Sequence, residues 1–214
     1  MYMCGFFGLH SFQFDKNQKI IASKKSIEIL NHRGPDSNGI WISENSDIIL
    51  SHNRLSILDL SDTGSQPMIS SSGNLVIIFN GEIYNHLIIR KNLNDEFNFK
   101  NWKGTSDTET LLQAVELWGI EKTLNRLDGM FALAIWDKKK KSLYLARDRF
   151  GEKPLYYGWI NEINSFVFSS DLIFDKLFKH INFEINEKAL NDLIHLNYIN
   201  NKNSIFKNIK KIKP

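Results

Sequence analysis

The stretch Cys4-Gly5-Phe6-Phe7-Gly8-Leu9 stands near the amino terminus and is typical of a short apolar strand. Its two glycines allow another backbone to come close. From there the chain continues in blocks of strands joined by hairpins, with helices between the blocks, and without a regular strand–helix–strand alternation. This order predicts an α+β fold in which two antiparallel sheets pack on each other.

The individual elements follow from hydrophobic periodicity and turn residues. The helix at 107–118 is the clearest, since Leu111, Ala114, Val115 and Trp118 recur at helical spacing and either Ser106 or Asp107 can cap it. The other predicted helices cover residues 19–30, 171–178 and 187–196. Predicted strands cover residues 39–43, 48–52, 75–79, 130–136, 142–146, 155–159 and 166–169.

The formal net charge of +3 comes largely from lysines at 138–141 and in the tail at 207–213. A basic tail can contact nucleic acid or acidic lipid, but no nucleic-acid motif accompanies it, and a solvated linker is the favoured interpretation. No apolar run reaches the roughly 18 residues of a membrane span, and no secretion signal opens the chain. The single cysteine, Cys4, fits a reducing compartment, so we expect a cytoplasmic protein.

A lone cysteine is by itself more often a small buried hydrophobe than a nucleophile. If the chain began at Cys4, however, the thiol and a free α-amine would share one residue. Their reference pKa values, about 8.5 and about 7.7–8.0, suit the amine as general base. Met1-Tyr2-Met3 precedes Cys4 here. Translation from Met3 followed by methionine removal is the favoured explanation; a short propeptide or an inactive domain are the alternatives.

Attack by a thiolate on an amide needs donors for the resulting oxyanion. The apolar run at 75–79 leads directly into Asn80-Gly81, whose side-chain amide and backbone N–H can supply them. Asn-Gly is also a strong hairpin-turn signal. For an amino-acid substrate, Arg54 can hold the carboxylate and Asp107 or Glu82 the ammonium, although each alone is more often a surface charge or a helix cap.

Together these residues resemble a known family, the class II glutamine amidotransferases, which are N-terminal-nucleophile hydrolases. Within it, the stretches at 54–68 and 147–157 most resemble the asparagine synthetase branch. Coverage runs from Cys4 to about residue 177. Besides residues 4–8, the matching blocks are His32-Arg33-Gly34-Pro35-Asp36, the run at 51–57, Gln66-Pro67-Met68, Asn80-Gly81-Glu82-Ile83-Tyr84-Asn85, Ser106-Asp107-Thr108-Glu109, the run at 127–132 and the run at 147–157.

The resemblance implies a four-layer αββα sandwich and hydrolysis of glutamine to glutamate and ammonia through a thioester. It implies a glutaminase domain at residues 4–180, followed at 181–214 by a helix and a basic linker toward a synthetase domain. In site terms it makes Cys4 the nucleophile, Asn80 and Gly81 the oxyanion donors, and Arg54, Ile57, Leu58, Asn80, Gly81, Glu82 and Asp107 the glutamine contacts.

We expect no metal or cofactor in this chain. ATP and Mg²⁺ would belong to a synthetase domain, in the same polypeptide or another, whose Ser-Gly-Gly-x-Asp-Ser loop this sequence lacks. The acceptor of the ammonia stays open, as does a homodimer.

Three rival functions remain from the sequence. A catalytically silent glutamine-binding or docking domain follows if Met1-Tyr2-Met3 is retained. A papain-like hydrolase would pair Cys4 with one of the histidines, and a relative within the class could serve phosphorylated sugars. The histidines are His10, His32, His52, His86, His180 and His195.

Overall fold

The computed structural model describes residues 3–57, 59–200 and 202–214, which form ten β-strands and six α-helices. The strands are β1 (Gly5–Ser11), β2 (Ser37–Ile42), β3 (Ile48–Arg54), β4 (Met68–Ile69), β5 (Leu75–Ile83), β6 (Gly129–Asp137), β7 (Ser142–Arg147), β8 (Tyr156–Ile160), β9 (Ser165–Ser169) and β10 (Ile209–Lys211). The helices are α1 (Lys16–Leu30), α2 (His86–Phe97), α3 (Asp107–Trp118), α4 (Ile120–Leu124), α5 (Phe174–Leu177) and α6 (Glu187–Leu196).

Two antiparallel sheets form the centre of the fold, as the sequence predicted. One has six strands in the order β10-β8-β9-β1-β3-β2, and the other has four in the order β4-β5-β6-β7. Helix α1 packs on β1 and β3 of the first sheet, while α3 packs on β5 of the second and α2 packs on α3. The layers therefore run helix, sheet, sheet, helix, which confirms the αββα sandwich.

Strand β5 shows why its sequence is apolar without interruption. Its even-numbered residues Val76 and Ile78 lie in the layer between the sheets, together with Phe6 and Leu50 of the six-stranded sheet. Its odd-numbered residues face the helical layer, where Phe79 packs in the same cluster as residues of α3. Successive strand side chains point to opposite faces, so a strand buried on both faces has apolar residues at every position.

The sequence missed helix α2, because its buried side is narrow. Among its side chains, Ile89 and Leu93 are buried, whereas Leu87 and Ile88 are about two-thirds exposed. Two buried residues four apart give little periodicity to recognise. Helix α1 begins three residues earlier than predicted, because Asp15 caps it by accepting the Gln18 N–H at 2.8 Å.

The lysine-rich tail also differs from its predicted form as a solvated linker. Ile209–Lys211 forms β10, an edge strand paired with β8, and Ile209 is buried. Alternating apolar and lysine residues suit an edge strand with one face on the core, which is why composition alone misled. The division of the chain near residue 180 stays a prediction. Across the described ranges, no helix combines the length and apolar character that crossing a membrane requires.

Candidate active site

The candidate site lies where the inward-facing row of each central strand changes from apolar to polar residues. In β1 the row that contains Phe6 reaches Cys4, and in β5 the row of Val76 and Ile78 reaches Asn80 and then Glu82. In β3 the row of Ile48 and Leu50 continues to His52 and Arg54. Because strand side chains alternate with a period of two, these polar residues meet at one end of the layer between the sheets.

A pocket of about 240 Å³ opens at this end of the sandwich. It brings together seven of the eight residues predicted from the sequence; the eighth, Leu58, lies outside the described residues. Among those that the structure describes, no histidine lines the pocket, so a papain-like cysteine–histidine pair has no geometric support. The lining residues are Met3, Cys4, Arg54, Leu55, Ile57, Asp59, Gly64, Gln66, Phe79, Asn80, Gly81, Glu82, Ser106, Asp107, Thr108, Met130 and Lys153.

Cys4 is held on both sides at the start of β1. Its Sγ lies 3.3 Å from the Leu55 backbone N–H, which donates to it. Its carbonyl accepts the Arg33 Nε–H at 3.1 Å, and the preceding Met3 N–H donates to the Arg33 carbonyl at 3.0 Å. Burial raises the pKa of the Cys4 thiol, and the Leu55 hydrogen bond and Arg54 offset this only in part. The thiol therefore needs a base to become a nucleophile.

Met3 occupies one side of the pocket, and its Sδ accepts from Lys153 Nζ at 3.1 Å. With Met3 attached, the nitrogen of Cys4 is a peptide amide and cannot serve as that base. Met1 and Tyr2 lie outside the described residues, so the expectation that the first three residues are removed stays a prediction.

The Asn-Gly pair is part of β5 and not a hairpin turn, since Asn80 pairs with Ala132 and Gly81 with Phe131 of β6. The turn alternative is therefore wrong. Glycine is required at position 81, because a Cβ there would overlap the Met130 carbonyl and the Phe131 Cα. The close approach of β6 that the glycine allows completes the ladder at this end of β5.

The other edge of β5 is where the candidate oxyanion donors are found. Backbone groups of odd-numbered β5 residues face β4, as the Leu75 carbonyl does when it accepts the Ser70 N–H. Strand β4 begins at Met68, opposite Ile77, so beyond Ile77 this edge of β5 lacks a neighbouring strand. By the same alternation, the Gly81 N–H points to this open edge and faces the pocket. The Phe79 and Ile83 N–H groups on either side of it both donate to side chains.

Asn80 supplies a second donor beside the Gly81 N–H. It is 1 % exposed, and its Nδ2 finds no hydrogen-bond partner in the part of the chain that the structure describes. An unsatisfied buried N–H group costs about 1–3 kcal/mol, so native proteins rarely keep one without a reason. A bound oxyanion would be such a partner.

The two charges expected to hold an amino-acid substrate both line the pocket. Arg54 is 8 % exposed, and its guanidinium donates to the carbonyls of Ser61, at 2.8 Å, and Asp59. Asp107 is 6 % exposed and accepts the backbone N–H groups of Ile83 at 2.9 Å and Thr108 at 2.8 Å. The helix cap is Ser106, which accepts the Glu109 N–H, so capping is not the role of Asp107.

Burial raises the pKa of Asp107, and the two backbone hydrogen bonds offset this only in part. Glu82 is partly exposed in the inward row of β5, and Ile57 is 57 % exposed at the wall of the pocket. One cavity thus contains a carboxylate, a guanidinium, a thiol and two candidate N–H donors. These are the groups that acyl transfer from a zwitterionic amino acid requires.

Sequence reasoning missed several residues that shape this pocket. Asp59 is buried and fixes the loop that holds Arg54, since its carboxylate accepts from Ser61, Thr63 and the Thr105 N–H. The hydrogen bonds, those from Ser61 foremost, hold the pKa of Asp59 well below its usual value. Gln66 and Lys153 line the pocket too. Both stand in blocks that carried the family resemblance, which was the only signal for them.

Comparison with known proteins agrees with this geometry. A family model described as a glutamine amidotransferase domain matches residues 3–214. A putative asparagine synthetase (glutamine-hydrolyzing) 2 from Methanocaldococcus jannaschii is 37 % identical over 98 % of this chain and 42 % of its own. Asparagine synthetase (glutamine-hydrolyzing) 3 from Bacillus subtilis is 33 % identical over 99 % of this chain and 34 % of its own. Asparagine synthetase B (glutamine-hydrolyzing) from Escherichia coli is 39 % identical over 73 % and 27 %.

Among solved structures, a glutamine phosphoribosylpyrophosphate amidotransferase from B. subtilis superposes with a TM-score of 0.65 at 19 % identity, covering 82 % of this chain and 43 % of that one. This likeness shows the fold. The chain spans less than half the length of the curated relatives named above. Because the family model covers the chain almost from end to end, and relatives above 30 % identity align with nearly all of it, the chain belongs to the glutamine amidotransferase domain family, in the class II form found in asparagine synthetase-like proteins.

Proposed function

We propose that this domain hydrolyses glutamine to glutamate and ammonia, with Cys4 as the nucleophile. The observation that carries the proposal is that one pocket holds the Cys4 thiol, the open β5 edge at Gly81 and the Asn80 amide, whose Nδ2 has no hydrogen-bond partner within residues 3–57, 59–200 and 202–214. Together these three features match what attack on an amide carbonyl requires.

The reaction needs Cys4 as the first residue. Its α-amine then takes the thiol proton, and Sγ attacks the side-chain amide carbon of glutamine. The amide oxygen becomes an oxyanion that accepts from Asn80 Nδ2 and the Gly81 N–H. The carbon–nitrogen bond breaks, and the nitrogen leaves as ammonia with the proton held by the α-amine. Water then attacks the thioester, which releases glutamate and restores the thiol.

Substrate orientation follows from the charges in the pocket. Arg54 faces the α-carboxylate, while Asp107 and Glu82 face the α-ammonium, with further contacts from the loop at Ile57. Since Arg54 already donates to two backbone carbonyls, its guanidinium is fixed before the substrate arrives. A fixed guanidinium loses little conformational entropy when it binds a carboxylate. The site can therefore distinguish amino acids by where their carboxylate and ammonium groups lie.

The ammonia would serve an ATP-dependent synthetase domain, in the same polypeptide or in a partner. The relatives named as asparagine synthetases support this proposal, with aspartate as the acceptor they suggest. ATP and Mg²⁺ would act only in that synthetase domain.

A second candidate function is glutamine binding without turnover. It is favoured by one observation: Met3 sits in the pocket, with its N–H bonded to Arg33 and its Sδ to Lys153. In that state Cys4 has no α-amine, so a pocket for glutamine could persist without chemistry.

The deciding experiment compares two forms of the chain, one beginning at Cys4 and one retaining Met1-Tyr2-Met3. Glutamate release is measured by coupled assay and the thioester by intact mass after acid quench, with Cys4→Ala in the first form as the control. Turnover by the Cys4 form alone is expected. A Cys4 form that neither turns over glutamine nor forms a thioester would refute the proposal, and glutamine binding without turnover by both forms would establish the second candidate.

A further inference from the structure

His52 lies in the middle of the inward row of β3 and is fully buried. Its Nε2 is 2.9 Å from the carbonyl oxygen of Phe79 in β5, so the hydrogen bond crosses from one sheet to the other. A carbonyl only accepts, so Nε2 carries the proton. Burial, which outweighs the Phe79 hydrogen bond, lowers the pKa of His52 to about 4, and the imidazole is neutral at physiological pH.

Phe79 stands at the point where β5 loses its neighbour strand, and both of its outward backbone groups are satisfied by side chains instead. The N–H donates to Gln66 Oε1 at 2.6 Å, and the carbonyl accepts from His52. Gln66 Nε2 in turn donates to Thr108 Oγ1 at 3.4 Å, at the beginning of α3. We call His52 and Gln66 the Phe79 clamp.

The clamp acts on the residues that carry the candidate oxyanion donors. The Phe79 carbonyl and the Asn80 N–H belong to one planar peptide unit, so fixing the carbonyl fixes the plane from which the Asn80 side chain projects. Gly81, the next residue, has no Cβ to restrict its own backbone. The ladder to β6 restrains this segment on one side, where Asn80 pairs with Ala132. On the open edge, the adjoining group that side chains fix is the Phe79 peptide.

We infer that His52 is a positioning residue for the oxyanion site, which holds Asn80 and Gly81 in place through the Phe79 carbonyl. This inference rests on the proposed glutaminase function. It requires a specific chemical property of residue 52, an N–H donor, and not only its volume. Because these donors bind the charged oxyanion more strongly than the neutral amide oxygen of bound glutamine, loss of their alignment lowers kcat far more than it changes KM.

The competing explanation is that His52 merely fills the core. Its Nδ1 has no hydrogen-bond partner within the described ranges. An apolar side chain of similar size would remove that unsatisfied atom, and on the core-filling view would serve at least as well. Gln in place of His keeps an N–H within reach of the Phe79 carbonyl, whereas Met or Leu fills the space without one.

The test uses chains that begin at Cys4, with His52→Gln, His52→Met and His52→Leu, and with the exposed His180→Leu as control. For each, kcat and KM for glutamine are measured, together with the thermal midpoint and the rate of Cys4 alkylation by iodoacetamide. Alkylation reports on the thiol and needs no oxyanion donor, while the thermal midpoint shows that each variant is folded.

We expect His52→Met and His52→Leu to lower kcat about tenfold or more, less than the hundred- to thousandfold loss typical of deleting an oxyanion donor. Their KM stays within about twofold and their alkylation rate equals that of the wild type, while His52→Gln recovers most of kcat. Using two apolar variants guards against one that does not fold. Wild-type kcat in a folded apolar variant, or equal losses in His52→Gln and His52→Met, would overturn the inference alone. A wild-type chain without turnover would overturn the proposed function, and the inference with it.

Discussion

Replacing Asn80 by alanine separates activity from stability, because its Nδ2 has no hydrogen-bond partner among the described residues. Burying that N–H group costs about 1–3 kcal/mol in the folded state, and alanine removes the cost together with some packing. The free energy of unfolding is therefore expected to stay level or rise. Loss of an oxyanion donor lowers kcat by about a hundred- to a thousandfold, or about 2.7–4 kcal/mol of transition-state stabilisation.

Asn53 provides the matched control, since it is equally buried in the adjoining sheet but its Nδ2 donates to the Ile27 carbonyl at 3.0 Å. Asn53→Ala leaves the buried Ile27 carbonyl without its donor, at about 1–3 kcal/mol, but it also removes Asn53 Oδ1, which has no hydrogen-bond partner among the described residues. We therefore expect a net loss at the lower end of that range, and the thermal midpoint falls by about 2–4 °C per kcal/mol for a chain of this size. Its kcat is expected to stay near wild type.

The assay is kcat for glutamine hydrolysis by the Cys4 form, with thermal midpoints for both variants. The reasoning predicts opposite patterns: activity falls without loss of stability for Asn80→Ala, and stability falls without loss of activity for Asn53→Ala. An Asn80→Ala variant that loses several degrees while retaining kcat would refute it, because Asn80 would then be a structural residue.

Two further predictions concern carboxylates. Because burial raises the pKa of Asp107, glutamine KM is expected to rise as the pH falls through that raised pKa. Asp107→Asn should have a high KM that no longer changes with pH. A wild-type KM independent of pH would contradict this prediction. Burial raises the pKa of Asp148, but backbone N–H donors more than offset this and lower it, so its ionised form stabilises the fold above the unfolded pKa of about 3.9. Asp148→Ala should lower the free energy of unfolding at pH 7, measured by denaturant titration, by on the order of 3 kcal/mol, and this difference should shrink below about pH 4. Replacing the exposed Asp128 by alanine should have little effect. Equal effects of the two substitutions would refute the assignment.

The fold could be predicted in its main lines, because β5 and α3 carry strong local signals. The unbroken apolar run at 75–79 indicated a buried strand, and the apolar spacing in α3 indicated an amphipathic helix. What the sequence could not supply was the part that depends on sheet register. That Asn80-Gly81 continues β5, and is not a turn, depends on pairing with β6, some fifty residues later.

The same limit applies to the candidate site. Cys4, Arg54, Asn80 and Asp107 could be singled out as reactive or charged residues, and the pocket contains all four. Gln66 and His52 stood in runs that matched the family, but their bonds to Phe79 could not be predicted. Those bonds arise where Phe79 lacks a strand neighbour, which no local pattern encodes. Residues that satisfy an interrupted backbone ladder become visible only when the ladder itself is known.

The electrostatics of the site explain how the fold can keep reactive groups in an unfavourable state. Burial raises the pKa of both Cys4 and Asp107. Two other carboxylates are in the opposite condition. Asp59, which lines the pocket, and Asp148 each accept several hydrogen bonds from the loops around them, and their pKa values are lowered. Loops with well-satisfied carboxylates thus lie beside a thiol and a carboxylate whose charged forms are disfavoured by burial. The free energy needed to bury these reactive groups is therefore supplied when the chain folds, and glutamine binding requires no further reorganisation of them.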